Sequence, residues 1–445
     1  MIVGSGAVGY HLSQKFSEEG HDVVLVDNDQ KKLRRLEREL NVLPVCGSGA
    51  SNSTLEEAGI QHTDLFIAVT DSDEVNLVAC IISKNYNVKT RIARVRNEDF
   101  YSYQTSLNEE ILGIDLLISP DHAIVDEIMR LTALSGAFET AEFADGQVVL
   151  VGSTIDAGNI NAGKSLSELQ GLYGVIVAII RGNQTIIPGG NDIIQPQDRI
   201  YCVSRKNDLE ADNGLVQISN RAPRQVFIIG GGSIGYLVAK RMEQGKANVR
   251  LIEQDAERCK FLAENLEKTV VLNFDGFEAH DLLDEGIDQA DLVISVTDSD
   301  TTNILSSLLA KHHGAQKCMT RISRPDFIPL LGKLGIDVAL SPRLVAANMI
   351  LRFVRGGGSI VSVASLLGSD AEVIELKVPD VEKFHKVPLH SLDFPKGAVL
   401  GAIVRTKKKK VTVPTGTSRL RPGDNLVIFT IKDARKQVET YFAGS

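Results

Sequence analysis

Two glycine-rich segments carry the residue spacing most suggestive of chemistry. Gly4-Ser5-Gly6-Ala7-Val8-Gly9 and Gly230-Gly231-Gly232-Ser233-Ile234-Gly235 each follow an aliphatic run and open a helix-like stretch. Eighteen positions after the last glycine, each copy meets an acid: Asp27 closes Val-Val-Leu-Val-Asp, and Glu253 closes Val-Arg-Leu-Ile-Glu. A single GxGxxG is weak evidence, but here the strand, the helix and the terminal acid accompany it twice. The first glycine permits the tight turn, the second lets a pyrophosphate approach the backbone, and the third lets helix pack on sheet. The helix N-terminus then offers N–H groups and a partial positive charge to phosphate. An acid ending the second strand can accept both ribose hydroxyls and repels a 2′-phosphate, which favours NAD or ATP over NADP.

Other residues fall where such a ligand would lie. Cys46-Gly-Ser-Gly49 and Asn273-Phe-Asp-Gly276 follow the third strand-like runs and border the adenine position. Asp275, beside Gly276, suits the adenine amino group; Ser48 in its place is a weaker acceptor. Val-Thr-Asp-Ser-Asp ends the fourth strand-like run of each copy, placing Thr70 and Thr297 toward phosphates or ribose. Asp71, Asp73, Asp298 and Asp300 read as caps of the next helix, with a cation site as the alternative. Arg94, ending the fifth strand of the first copy, is within reach of a phosphate; Arg324 is read as its counterpart.

These residues need a scaffold, and a duplication supplies it. Asp64-Leu-Phe-Ile-Ala-Val-Thr-Asp-Ser-Asp73 resembles Asp291-Leu-Val-Ile-Ser-Val-Thr-Asp-Ser-Asp300, and Gly113-Ile-Asp-Leu-Leu-Ile-Ser-Pro120 resembles Gly335-Ile-Asp-Val-Ala-Leu-Ser-Pro342. The offset stays near 226, drifting by a few residues through loop insertions. The pattern predicts an α/β fold: two tandem Rossmann-like, doubly wound parallel sheets, each followed by a small α+β lobe. The strand-like stretches of the small lobes are Val148–Val151, Val175–Ile180 and Arg199–Ser204, then Val373–Val378, Val399–Val404 and Asn425–Thr430. Pro196-Gln-Asp198 and Pro422-Gly-Asp424 read as tight turns feeding edge strands. The expected divisions are a first large lobe 1–138, a first small lobe 139–208, a linker 209–223, a second large lobe 224–362 and a second small lobe 363–445. Three residues precede Gly4, so the first strand is a short one or its start lies upstream.

With 445 residues, 43% hydrophobic and 24% charged, the composition is that of a soluble globular protein. A net charge of −9 offers nucleic acid and anionic lipid no general attraction. The basic run Lys407–Lys410 reads as a solvated hairpin turn. Cys46, Cys80, Cys202, Cys259 and Cys318 are not at metal-ligand spacing and read as reduced thiols of a cytosolic protein. No apolar run reaches membrane-spanning length. Neither His11, whose place in the second copy is taken by Leu237, nor His312-His313 belongs to a catalytic constellation. Sensing is therefore the expectation over turnover.

The doubled glycine loop, the doubled Val-Thr-Asp-Ser-Asp, the doubled Gly-Ile-Asp-x-x-(Ile/Leu)-Ser-Pro, Gly163-Lys-Ser-Leu166 and the two Pro-x-Asp turns resemble the TrkA family of potassium-uptake regulatory subunits, across essentially the whole chain. That resemblance implies two RCK units, each an N-lobe plus a C-lobe. It implies a nucleotide-sensing, non-enzymatic homotetramer that binds and gates a TrkH-type potassium channel from the cytoplasmic face of the membrane. NAD(H), ATP or ADP would occupy the N-lobes. The matching positions are Gly4 through Val8, Asp27, Thr70, Asp71 and Arg94 in the first copy, and Gly230 through Ile234, Glu253, Asp275 and Gly276 in the second. Gly47-Ser48-Gly49 departs from the family's Gly-Asp-Gly. The alternatives are an NAD-dependent oxidoreductase, a regulator of another cation transporter and a stand-alone ligand sensor.

Overall fold

The computed structural model describes residues 1–101, 112–134, 136–169, 174–182, 184–211, 222–324, 327–355, 360–366, 371–385, 387–405 and 410–443. Two compact units divide the chain: Met1–Ile124 with Ser341–Val354, and Val125–Leu340 with Arg355–Ser445.

The first unit is built on a six-stranded parallel sheet of β1 (Ile2–Val3), β2 (Val24–Asp27), β3 (Leu43–Cys46), β4 (Leu65–Ala68), β5 (Thr90–Arg94) and β6 (Leu116–Ile118), ordered β3-β2-β1-β4-β5-β6. This is the dinucleotide-fold order, and the chain reverses direction across the sheet between β1 and β4. The strands are short aliphatic runs because helices cover both faces. β1, two residues long, still pairs with both neighbours, Ile2 with Leu25 and Ile67.

One helix in this core comes from far along the chain. Ala346, Ala347, Ile350 and Leu351 of the helix Pro342–Arg355 pack with Ile2, Val8, Leu12, Leu25, Ile67 and Ile118. Its repeat counterpart, the helix Pro120–Ala133, carries its residues from Val125 onward into the second unit. The repeats thus exchange the helices that close their large lobes.

The second unit holds a matching parallel sheet of β12 (Gln225–Ile229), β13 (Asn248–Glu253), β14 (Val270–Asn273), β15 (Leu292–Ser295), β16 (Lys317–Arg321) and β17 (Val338–Leu340), ordered β14-β13-β12-β15-β16-β17. Both small lobes also lie in this unit, each a five-stranded antiparallel sheet. The first contains β7 (Ala137–Phe143), β8 (Val148–Thr154), β9 (Gly174–Arg181), β10 (Gln184–Ile186) and β11 (Arg199–Arg205), ordered β10-β9-β11-β8-β7. The second contains β18 (Ile360–Ser365), β19 (Ala371–Lys377), β20 (Ala398–Arg405), β21 (Lys410–Thr412) and β22 (Asn425–Ile431), ordered β18-β19-β22-β20-β21.

β11 and β22 are central strands, which corrects their reading as edges. Their prolines precede the ladder and remove no rung from it. The tight turns themselves form: Gln197 and Gly423 have φ of 69° and 76°. Buried Asp198 accepts from Arg181 Nε and Nη2 at 2.8 Å each, and buried Asp424 pairs with Arg405. β20 pairs with β21 through Arg405 and Lys410, while Lys407, Lys408 and Lys409 lie outside the described residues. Among the described residues no helix is long and apolar enough to cross a membrane.

The two large lobes differ inside. Ala68, Ala79, Cys80 and Ala93 of the first are replaced in the second by Ser295, Ser306, Ser307 and Thr320, all fully buried. Thr320 Oγ1 donates to Ser307 Oγ (2.7 Å), which donates to Ser295 Oγ (2.9 Å). Removing one partner strands a buried donor, whereas removing the whole chain strands none. Ser295→Ala should therefore cost about 1–3 kcal/mol in urea unfolding. The fourfold exchange to the first lobe's Ala, Ala, Cys and Ala should cost less than that single change.

Candidate functional site

In each large lobe the glycine loop leaves the first strand at the point where the sheet order reverses, facing the end of the fourth strand. Gly4 and Gly230 take φ of +103° and +106°. A Cβ at either would stand 2.8 or 2.9 Å from the backbone nitrogen of Thr70 or Thr297. A Cβ on Gly9 or Gly235 would lie 1.9 Å from the carbonyl oxygen of Gly4 or Gly230, so the helix can sit this close only on glycine. Gly6 and Gly232 are different: nothing lies within 4 Å of a Cβ there. They head the helices Ala7–Glu18 and Ser233–Met242, neither of which has a side-chain cap bond. Gly6, Ala7, Gly232 and Ser233 are exposed, while Val8 and Ile234 point into the cores. The loop therefore presents backbone, with open space before it, where a phosphate would bind.

The terminal acids face these loops. Asp27 Oδ2 accepts from Ser5 N and Ser5 Oγ at 2.6 Å each, and Oδ1 from Asp29 N at 2.8 Å. Burial pushes this carboxyl up, but the Ser5 and Asp29 donors outweigh it and hold it below its usual range. Glu253 accepts from Gly231 N at 2.7 Å and Asp255 N at 2.9 Å. The longer acid is matched to a smaller loop residue: a Cβ on Gly231 would come within 2.5 Å of Leu262 Cδ1 and 3.1 Å of Glu253 Cβ. Both acids thus hold the loop's second residue while keeping oxygen lone pairs for further donors.

Thr70 and Thr297 stand opposite the loops, but their hydroxyls are engaged. Thr70 N and Oγ1 both donate to Asn76 Oδ1 (2.8 and 2.7 Å), and Asn76 Nδ2 donates to the carbonyls of Thr70 (3.1 Å) and Arg94 (2.9 Å). Asn303 repeats the pattern with Thr297 and Arg321. These buried asparagines knit the ends of the fourth and fifth strands together, a role that sequence reasoning missed. The signal was present in their identical spacing from the two threonines.

Helix capping belongs to Ser72 and Ser299, whose side chains accept from Val75 N and Thr302 N. The neighbouring aspartates are not the caps that were expected. Asp73 accepts from Arg96 N and Asn97 N at 2.8 Å each, and Asp300 from Ser323 N and Arg324 N, clamping the loops beyond the fifth strands. Among the described residues no group of three or more metal-ligating side chains stands together.

The same pairings correct one alignment. Asn76 binds the carbonyl of Arg94 and Asn303 that of Arg321, so the counterpart of Arg94 is Arg321, three residues before the Arg324 chosen by string similarity. The guanidinium of Arg324 lies over the Phe327 ring. Arg321 Nη1 bonds Thr297 O and Asp298 Oδ1 at 2.7 Å each. Arg94 is buried, and its Nη2 and that of Arg96 both stand 3.8 Å from Asp71 Oδ1. Burial, and then the adjacent Arg96, push the Arg94 guanidinium below its usual value. Two cations therefore share one exposed carboxylate in the first crevice, whereas in the second Ser323 takes the place of Arg96 and a single arginine, Arg321, pairs with Asp298.

Ser48 and Asp275 occupy equivalent turns: each accepts from the backbone N–H two residues on at 3.2 Å. Both are exposed, and Gly49 and Gly276 pack under them against Val3 and Ile229.

A Rossmann-type lobe followed by a small antiparallel lobe, twice in one chain, defines the class of tandem RCK proteins. The TrkA-N domain matches residues 1–120 and 226–342, and the TrkA-C domain residues 150–211 and 373–443. The chain belongs to the TrkA family of Trk system potassium uptake proteins. It is 37% identical to TrkA homolog 1 of Methanosarcina mazei over 99% of both chains, and 35% identical to TrkA of Haemophilus influenzae over 96% and 95%. Among solved structures it shares its fold with the GsuK RCK domain (TM-score 0.62, 20% identity, 100% of this chain and 94% of that one). The GsuK channel bound to NAD is similar at a TM-score of 0.61 and 19% identity, over 100% of this chain and 78% of that one.

Proposed function

We propose that this chain is the nucleotide-sensing regulatory subunit of a potassium uptake system, and that it is not an enzyme. It acts as a homotetramer at the cytoplasmic face of the membrane, binding and gating a TrkH-type channel. The observation that carries the reading is the twofold crevice: backbone N–H groups and open space at Gly6 and Gly232, with Asp27 and Glu253 poised for ribose. The relatives' names supply the potassium uptake system.

The residues proposed to hold nucleotide are Gly4 through Val8, Asp27, Thr70, Asp71 and Arg94, and Gly230 through Ile234, Glu253, Asp275 and Gly276. Thr70 would line the crevice by shape, since its amide, hydroxyl and carbonyl are all bonded to Asn76. The charges favour different ligands. Arg94 and Arg96 over a single Asp71 suit the ligand with more phosphate charge, ATP or ADP. The second crevice, with Arg321 neutralised and Asp275 added, suits NAD(H). Gating is then a population shift: a nucleotide moves the assembly only as far as it prefers one state, and a swing from 1:99 to 99:1 takes about 5.5 kcal/mol summed over sites.

Calorimetric titration with NADH, NAD⁺, ATP and ADP tests the assignment. Asp27→Ala should weaken ATP or ADP, and Glu253→Ala should weaken NADH, each by about tenfold or more, at ~1.4 kcal/mol per decade. If none of the four ligands binds, nucleotide sensing is refuted.

A further inference from the structure

Two elements of the second large lobe run from its crevice to the same distant helix. The helix Ser233–Met242 starts at the glycine loop, and near its other end Arg241 pairs with Asp126 of the helix Pro120–Ala133. Strand β16 ends at the crevice, with Arg321 on the carbonyl of Thr297. It begins at Lys317, whose Nζ donates to Leu131 O (2.9 Å), Leu134 O (3.4 Å) and Ala137 O (2.9 Å).

The lysine contact is a specific one. An ammonium has three donors, and here all three go to backbone carbonyls. Two belong to the C-terminal end of the helix Pro120–Ala133 and its exit, where carbonyls lack helical partners and the helix dipole favours a cation. The third is that of the first residue of β7, which opens the first small lobe. Burial pushes the Lys317 ammonium down to about 8, against the pull of Asp337. Such a position is costly to occupy without a partner, and the carbonyls supply it. The first lobe has Thr90 at the position of Lys317, so it has no lysine grip of its own.

We infer that Lys317 and Arg241 are positioning residues that transmit occupancy of the second crevice to the helix Pro120–Ala133 and through it to the first strand of the first small lobe. The argument follows the rigidity of the two elements. A ligand that draws the glycine loop toward the end of the fourth strand displaces the start of the helix Ser233–Met242 relative to β16. That displacement reaches the far ends of both elements, and there Arg241 and Lys317 hold the same helix, at its middle through Asp126 and at its C-terminal end through the carbonyl of Leu131. Leu134 and Ala137, on either side of the step from that helix to β7, are both fastened to the large lobe by the ammonium. This rests on the nucleotide reading of the second crevice.

Hydrogen–deuterium exchange on the full-length protein, with saturating NADH and in parallel ADP, provides the test. Loss of binding in Glu253→Ala identifies the ligand of the second crevice. In the wild type that ligand should change amide exchange across Gly136–Phe143 by about threefold or more. Lys317→Met should bind it with an affinity within about threefold of wild type and show no such change, a split that a purely structural role would not produce. Arg241→Met, at a half-exposed position, should fold normally and reduce the response, which keeps the test decisive if Lys317→Met does not fold. Binding without an exchange response in the wild type would overturn the coupling and leave the nucleotide site standing. An undiminished response in the variants would overturn the roles of the two residues. Absence of any ligand at the second crevice would overturn both the coupling and the site.

Discussion

Gly6→Ala should leave the protein folded and cost it nucleotide, while Gly9→Ala, three residues later, should cost it the fold of the first large lobe. A Cβ on Gly6 meets no atom within 4 Å, and its φ of −63° is open to any residue. Stability should therefore change by less than about 0.5 kcal/mol. The added methyl, however, occupies the space a pyrophosphate must enter, and affinity at the first crevice should fall by about a hundredfold, or ~2.7 kcal/mol. On Gly9 the same methyl would lie 1.9 Å from the Gly4 carbonyl oxygen, so helix and loop must separate. Such overpacking costs about 3 kcal/mol. Gly232→Ala and Gly235→Ala should repeat the contrast in the second lobe. Thermal unfolding and calorimetry on the four variants give the answer, and a Gly6→Ala protein that binds normally would show that the open space is not the phosphate site.

The first unit should lose stability on mild acidification, and a single histidine should account for much of that loss. His11 lies on the helix that begins at the first glycine loop; burial, then nearby Lys15, push its imidazole down to about 4, against Glu18. Between pH 6.5 and pH 4 the unfolded chain takes up a proton that the folded chain refuses. The unfolded state binds more protons there, so stability falls as pH falls. At 1.36 kcal/mol per unit the loss is about 2 kcal/mol at pH 5 and about 3 kcal/mol at pH 4. Above pH 6.5 the group contributes no slope. His11→Leu, which copies Leu237 of the second repeat, should flatten this part of the profile. Urea unfolding at pH 7 and pH 5 on both proteins measures the difference.

The glycine loops and their acids were legible because their chemistry is local. Turn, helix start and strand end are set by residues close in sequence, and the spacing from Gly9 to Asp27 repeats unchanged from Gly235 to Glu253. What lay across the sheet was less legible. Thr-Arg-Ile-Ala-Arg94 resembles Thr-Arg-Ile-Ser-Arg324 as a string, yet the asparagine bonds pair Arg94 with Arg321. Letters alone do not reveal which residue sits at the sheet edge. Asp73 and Asp300 have cap-like spacing, but serine already fills that place, and their carboxylates reach the next loop instead. Lys317 gave no signal, since its partners are backbone carbonyls, which have no sequence signature. The helix Pro342–Arg355 shows an apolar stripe, and a stripe does not say which sheet it will cover.

The destination of that last helix bears on synthesis. The core around Ile2, Val8 and Leu12 is closed by Ala346, Ala347, Ile350 and Leu351, and residues 125–340 are made in between. At about 5–20 residues per second a ribosome takes roughly 10–40 s over that interval. Throughout it, the first lobe emerges with an uncovered apolar face and must either be shielded by a chaperone or risk capture by a neighbouring nascent chain. A gene cut between the repeats would make that waiting state permanent, so the two halves should be recoverable as soluble protein only when produced together.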